Sequence, residues 1–356
     1  MGIDADVLLV GSVPLASTEE VVNYCGSGLG DIAVGIPDGE VGDRSLWVVF
    51  QAYRVFSGHP QLETTQRPQP DFNWRPAGLH DMWQFAIRDG VEELEFDNLG
   101  YANNAVNSYG IFRAARDAGT IPIEARFQVS LPLPESGCSW FFPQPEDLAR
   151  VIPAYEKALL RELATILDQI PHQDLVLQWD VCWEVLDVEG IFPWALPDSD
   201  PFERFVQTCQ RVSPQIPEEI LLGYHYCYAD LGHRHMKEPD DLAVAVRMSN
   251  AGVAHSGRRV DFTHMPVPID RSDAAYFAPL ADLDKNGPKV FLGLVHHADG
   301  LEGSLRRGTA AKGALKKFGI ATECGWGRRP AWQVPELIDL HRQVVAELVD
   351  DVGEET

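Results

Sequence analysis

The sequence has no long apolar run. Its longest, such as DVLLVG (6–11) and KVFLGLV (289–295), fall far short of the roughly 18 residues that cross a bilayer. The first residues show no basic stretch followed by a signal-type apolar segment, so a cytoplasmic protein with no membrane partner is expected. Basic side chains are scarce as well: 29 Lys and Arg stand against 53 Asp and Glu. The resulting formal charge of −24 repels phosphate backbones, and no nucleic-acid partner is expected. Cysteine is sparse, with six residues at 25, 138, 182, 209, 227 and 324. They lack the density and close spacing of a secreted disulfide scaffold, which leaves free or metal-bound thiols as the expectation. A dinucleotide turn is missing too, because GSVPLAS after the first apolar run lacks the G-x-G-x-x-G spacing that cradles a pyrophosphate.

What is present is one repeating grammar: a short apolar run, a loop with Gly, Asp or His, then a stretch of helical periodicity. Eight such runs occur, at 7–11, 32–36, 123–131, 175–180, 220–226, 259–264, 289–296 and 319–324. Helical stretches follow most of them, for example over 145–170 and 334–352. This alternation predicts a single α/β domain over residues 1–356, a (β/α)8 TIM barrel with an extended excursion between strands 2 and 3. The Pro-rich, aromatic piece at 58–78 falls in that excursion. The open doubly wound sheet is the structural alternative.

Barrel active sites lie at the C-terminal strand ends. Those ends carry Ser12, then Asp38 and Glu40, Asp180 and Glu184, His225 and Cys227, His264, His296 and His297, and Cys324. His225-x-Cys227 on an extended strand puts both side chains on one face, as chelation from one strand requires. Tetrahedral Zn²⁺ takes this mixture of imidazole and thiolate. Each residue also has a plain structural reading. Cys324 fits a small buried hydrophobe, as do Cys25, Cys138, Cys182 and Cys209. Glu40 fits a helix cap and Asp180 an acceptor of loop amides. His233 and His235 in LGHRHMKEP belong to a loop beyond the strand end, with a solvated or gating role. His297 is the expected catalytic residue, a general acid at the seventh strand end, although a structural imidazole fits His296 and His297 equally. The aromatic CSWFFP piece (138–143) reads as packing or as a cover over a donor, and Arg328 and Arg329 as receivers of an anion or partners of surface acids.

GYHYCYAD (223–230), followed about a hundred residues later by ATECGWGRR (321–329), resembles the zinc-binding portion of cobalamin-independent methionine synthases. LLVGSVP (8–14), IPDGEVGDR (36–44), VSLPLP (129–134) and LQWDV (177–181) are similar to further segments of that family's catalytic barrel, in the same chain order. The resemblance implies a Zn²⁺ cofactor held by His225, Cys227 and Cys324. It also implies that Ser12, Glu40 and Asp180 hold the amino-acid part of homocysteine. The family's fourth ligand is a glutamate at the end of the sixth strand. VDFTHMPVP (260–268) has none, and His264 is the expected replacement. WDVCWE departs from the family's Asp-Glu-Pro, and the 356 residues correspond to the catalytic barrel alone. The expected function is zinc-dependent S-alkyl transfer, most simply methyl transfer, between an alkyl donor and a small-molecule thiol. The alternatives are a zinc hydrolase or lyase on the same barrel, and a metal-free relative resembling uroporphyrinogen decarboxylase. The acidic composition disfavours the last, which would want a basic cleft for a polycarboxylate.

Overall fold

A computed structural model of the chain describes residues 6–68, 81–192, 194, 196, 199–229 and 235–350. The apolar runs form a curled sheet of seven parallel strands: β1 (Ile36–Pro37), β4 (Phe127–Pro132), β5 (Leu175–Val181), β6 (Leu221–Tyr226), β7 (Phe262–Pro266), β8 (Lys289–Gly293) and β9 (Gly319–Ile320). A separate antiparallel hairpin, β2 (Leu62–Gln66) with β3 (Gln84–Ile87), lies in the long excursion between β1 and β4. Strands adjacent in the sheet are consecutive in the chain once the hairpin is set aside, and parallel neighbours of this kind require crossovers.

The longer crossover helices are α1 (Thr18–Leu29), α2 (Tyr101–Asp117), α4 (Pro145–Gln169), α6 (Pro201–Val212), α7 (Ala243–His255), α9 (Gly300–Lys312) and α10 (Gln333–Asp350). Short helices α3 (Pro134–Cys138), α5 (Trp183–Val188) and α8 (Ala274–Phe277) begin loops at strand ends. Their starts are chemically marked. Ser17 caps α1 by accepting from the Glu20 amide at 3.2 Å, while the Glu20 carboxylate accepts from the Ala16 amide. Asp200 caps α6 ahead of Pro201 at the first helical position. Gly100, the cap of α2, has no side chain to offer, and buried Glu162 of α4 accepts from the Leu99 and Ala102 amides instead. The expected helices over 145–170 and 334–352 correspond to α4 and α10.

Among the described residues the parallel sheet has seven strands rather than the eight of the expected closed barrel. The first run, 7–11, carries isolated bridges: Val7 pairs with Ala33 on one side and Ile320 on the other, and Ser12 pairs with Gly39. The bordering strands β1 and β9 are each two residues long, so this run meets single rungs rather than a ladder. Inside the curl, Leu8, Val10, Val34, Val176, Phe262, Phe291 and Ala321 make a small apolar cluster, separate from the larger core between strands and helices. No helix among the described residues is long and apolar enough to cross a membrane.

Candidate metal centre

Parallel register builds the site. Asp180 of β5 is level with His225 of β6, and His225 is level with His264 of β7. On β6 the period of two turns Tyr224 and Tyr226 to the opposite face from His225, where the Tyr224 hydroxyl meets Ser213 at 2.6 Å. Cys227 continues the strand, its amide donating to Val181 O at 2.9 Å. Cys324 comes from the loop after β9. Gly325 follows it because a Cβ there would lie 2.3 Å from Ser12 Oγ.

His225, Cys227 and Cys324 each offer a ligand atom, and these atoms lie within 4.8 Å of one another. The two sulfurs are 4.0 Å apart. Two thiolates about 2.3 Å from one tetrahedral ion stand about 3.8 Å apart, so the pair fits zinc with little movement. The Arg328 guanidinium donates to Cys324 Sγ at 3.3 Å, a contact that favours the thiolate form. The Cys227 thiol is held well above its ordinary pKa, first by Cys182 beside it and also by burial. A bound cation reverses that balance.

His264 stands outside this group. Its Nε2 is 3.0 Å from Thr322 O, and its Nδ1 is 2.7 Å from His225 Nδ1. Both rings are fully buried, which pushes the His264 pKa down to about 3 and that of His225 well below the usual imidazole range. Both are therefore neutral at pH 7, with one proton each. The Thr322 carbonyl can only accept, so the His264 proton sits on Nε2 and its Nδ1 carries a lone pair. His225 must then donate from Nδ1, which leaves its Nε2 as the bare donor that a metal needs. Where the sequence offered His264 as a fourth ligand, the structure gives it the geometry of an orienting partner. His264→Ala is expected to weaken zinc binding by about ten- to a hundredfold at unchanged stoichiometry, measured by chelator competition.

The centre opens into a cavity of about 750 Å³, part of it open to solvent, which Ser12, Glu40, Asp180, His225, Cys227 and Cys324 all line. Asp180 accepts from Gln178 Nε2 at 2.9 Å and from Trp47 Nε1 at 3.0 Å. Burial pushes its carboxyl pKa up to about 7. Glu40 is pushed up to about 8, first by burial and then by the charge of Asp180. Ser12 Oγ accepts from the Gly327 amide at 3.3 Å. Glu40, Trp47 and Ala229 are the non-glycine residues with positive φ among the described residues (51°, 55° and 57°), and all three line this cavity. Such strained backbone concentrates at functional sites. Gly39 sets up Glu40 with φ 81° at a point where a Cβ would meet Val21 at 2.6 Å.

Other strand-end residues fall elsewhere. His297 does not line the cavity; its Nε2 meets Glu336 of α10 at 2.6 Å. His296 is buried between Val267 O, at 2.7 Å, and Glu323, at 3.1 Å. Glu184 accepts from the Ser136 amide at 3.0 Å, Asp38 pairs with Arg44, and neither touches the cavity. Arg328 lines it, whereas Arg329 faces Glu323 at 3.5 Å. Trp140 and Phe141 of the aromatic piece belong to its wall. His235 pairs with Glu238 at 2.9 Å, and His233 lies outside the described residues.

Cys182, Trp183 and Trp47 also belong to the cavity wall. Cys182 follows Asp180 by two positions, so the strand period was its signal. Trp183 stacks on Trp140 with ring centroids 4.3 Å apart. Trp47 reaches Asp180 from the excursion after β1, and no local pattern announces that. No protein-family profile matches the chain, and no curated protein matches it by sequence.

Proposed function

We propose that this centre holds zinc and activates a small amino-acid thiol, homocysteine or a close relative, for S-alkylation at the mouth of an eight-stave α/β barrel. The observation that carries this reading is the joint lining of one cavity by a two-cysteine, one-histidine group and a buried carboxylate pair. Zinc, when bound, would deprotonate a thiol at neutral pH and keep its sulfur in place, and two cysteine ligands keep that sulfur electron-rich for attack on an alkyl carbon. The residues of the chain supply the rest. His225, Cys227 and Cys324 would hold the ion. Asp180 and Glu40, raised in pKa by burial, would meet a substrate ammonium, because a cation relieves both desolvation and mutual repulsion. Arg328 and the Ser12 hydroxyl would receive the substrate carboxylate. The indole wall of Trp47, Trp140 and Trp183 excludes water from a nucleophilic sulfur.

The test is calorimetry on the zinc-loaded protein with homocysteine, homoserine and methionine. Homocysteine is expected to bind, and the two analogues without a thiol to bind about a hundredfold more weakly or not at all. Equal binding of homoserine contradicts a thiol site, and water activation at the three-donor centre then becomes the better reading.

The carboxylate pair also sets a pH dependence of stability in the ligand-free protein. Glu40 titrates near 8 when folded and near its ordinary 4.5 when unfolded, so the folded state holds the extra proton between those values. Stability from this group therefore falls as pH rises from about 4.5 through 8. Thermal melts across that range should show the decline, and Glu40→Gln should lessen it, with Asp180 supplying a remainder of the same sign.

A further inference from the structure

A second cavity lies outside the sheet, away from the metal centre. Phe262 packs in the interior cluster and His264 faces the centre, so Thr263 between them on β7 points outward. The crossover that should cover this outer face, from β7 to β8, holds only the four-residue α8 and a 3-10 turn, Ala278–Asp282. The flanking helices α7 and α9 have 13 residues each. The shortfall leaves a cavity of about 1980 Å³, counted to its open mouth, floored by Val290, Phe318, Ile320 and Leu348.

Its rim is the opposite of the chain's composition. The sequence has seven lysines in all, and five of them, Lys285, Lys289, Lys312, Lys316 and Lys317, line this one cavity. Two carboxylates, Asp6 and Asp284, line it as well, and Asp6 pairs with Lys289 at 3.1 Å. Leaving aside Lys312, and Lys289 with its partner Asp6, the lining still sets Lys285, Lys316 and Lys317 against Asp284, on a protein of formal charge −24. Below the rim, the Thr263 side chain is 0% exposed and its Oγ1 has no hydrogen-bond partner among the described residues. A buried hydroxyl left unpaired is costly, and a bound acceptor satisfies it.

We propose that this cavity binds a small amphipathic organic anion carrying two or more negative charges. The apolar floor takes its body, the lysines converge on its charges, and the Thr263 hydroxyl donates to one of its oxygens. Concavity and an apolar floor with a few convergent polar groups are the marks of a small-ligand pocket. The strongly negative remainder of the protein disfavours a nucleic acid as occupant. This site shares no residue with the metal centre, so it stands or falls independently of the proposed function.

The experiment is calorimetry on the full chain with 2-naphthyl phosphate, naphthalene-2,6-dicarboxylate and neutral 2-naphthol. Saturable one-to-one binding of at least one dianion is expected, with 2-naphthol about tenfold weaker or worse. Affinity should fall by about tenfold or more between about 50 and about 500 mM salt. Lys285, Lys316 and Lys317 are exposed, so Lys285→Ala/Lys316→Ala/Lys317→Ala should fold normally yet bind about tenfold more weakly or worse. Thr263→Val keeps the side-chain shape and should weaken binding while leaving the melting temperature unchanged or higher. Cys324→Ser should bind the dianions as the parent does. The stronger of the two dianions identifies a phosphoryl or a carboxylate headgroup. Absence of saturable binding by both, or binding indifferent to salt and to the lysine substitutions, overturns the proposal.

Discussion

Metal-free protein titrated with zinc is expected to take up one ion per chain, and Cys227→Ser or Cys324→Ser should each weaken that uptake by about a hundredfold or more. The magnitude follows from the donor set. His225, Cys227 and Cys324 are the three groups whose ligand atoms converge, and their sulfur spacing of 4.0 Å already approximates a tetrahedral dithiolate. A serine hydroxyl stays protonated at neutral pH and is a poor zinc donor, so either substitution removes one of three donors. Cys25→Ser and Cys209→Ser are the controls. Both thiols are buried away from the cavity, and burial pushes each up to about 12, as expected of inert packing. Retention of full affinity in both ligand variants, with the fold confirmed by circular dichroism, would falsify the metal centre.

Homocysteine binding to the zinc-loaded protein at pH 7 is expected to release more than one proton per site. One comes from the thiol, whose ordinary pKa of about 8.5 leaves it protonated in solution. The excess comes from the carboxylate pair. With Glu40 near 8 and Asp180 near 7, the empty pocket retains protons that an ammonium expels when it settles between the two groups. Glu40→Gln removes one of those titrating groups and should bring the release close to one, at unchanged zinc content. Asp180→Asn should act in the same direction. Calorimetry in two buffers of different ionisation enthalpy reads the proton count directly. A release that Glu40→Gln leaves unaltered would detach Glu40 from the ammonium.

Strand-end chemistry was the most legible part of this molecule. A period of two places His225 and Cys227 together, and the alternation of runs and helices brings Ser12, Glu40, Asp180 and Cys324 to the same cavity. The ring orientation of His264 was not legible, because the Thr322 carbonyl that fixes it lies 58 residues further along the chain. Nor was Trp47, whose bond to Asp180 depends on the path of the excursion between β1 and β4. Cys182 could be read from its spacing to Asp180, yet a cysteine in an apolar context is far more often plain packing, and that base expectation concealed it. The apolar run 7–11 looked like a full strand. Residue preference alone does not make one when the neighbouring strands offer only two residues each to pair with. The short α8 carries the same lesson at the crossover from β7 to β8, where a missing helix, rather than any motif, opens the lysine-lined cavity.

X-ray absorption at the zinc edge, before and after homocysteine, tests the proposed centre most directly. Two sulfur neighbours from Cys227 and Cys324, with the remaining positions filled by nitrogen or oxygen, are expected for the zinc-loaded protein alone. Addition of homocysteine should raise the count to three sulfurs at about 2.3 Å at the expense of one oxygen. A count that stays at two while homocysteine binds would contradict thiol activation at this centre.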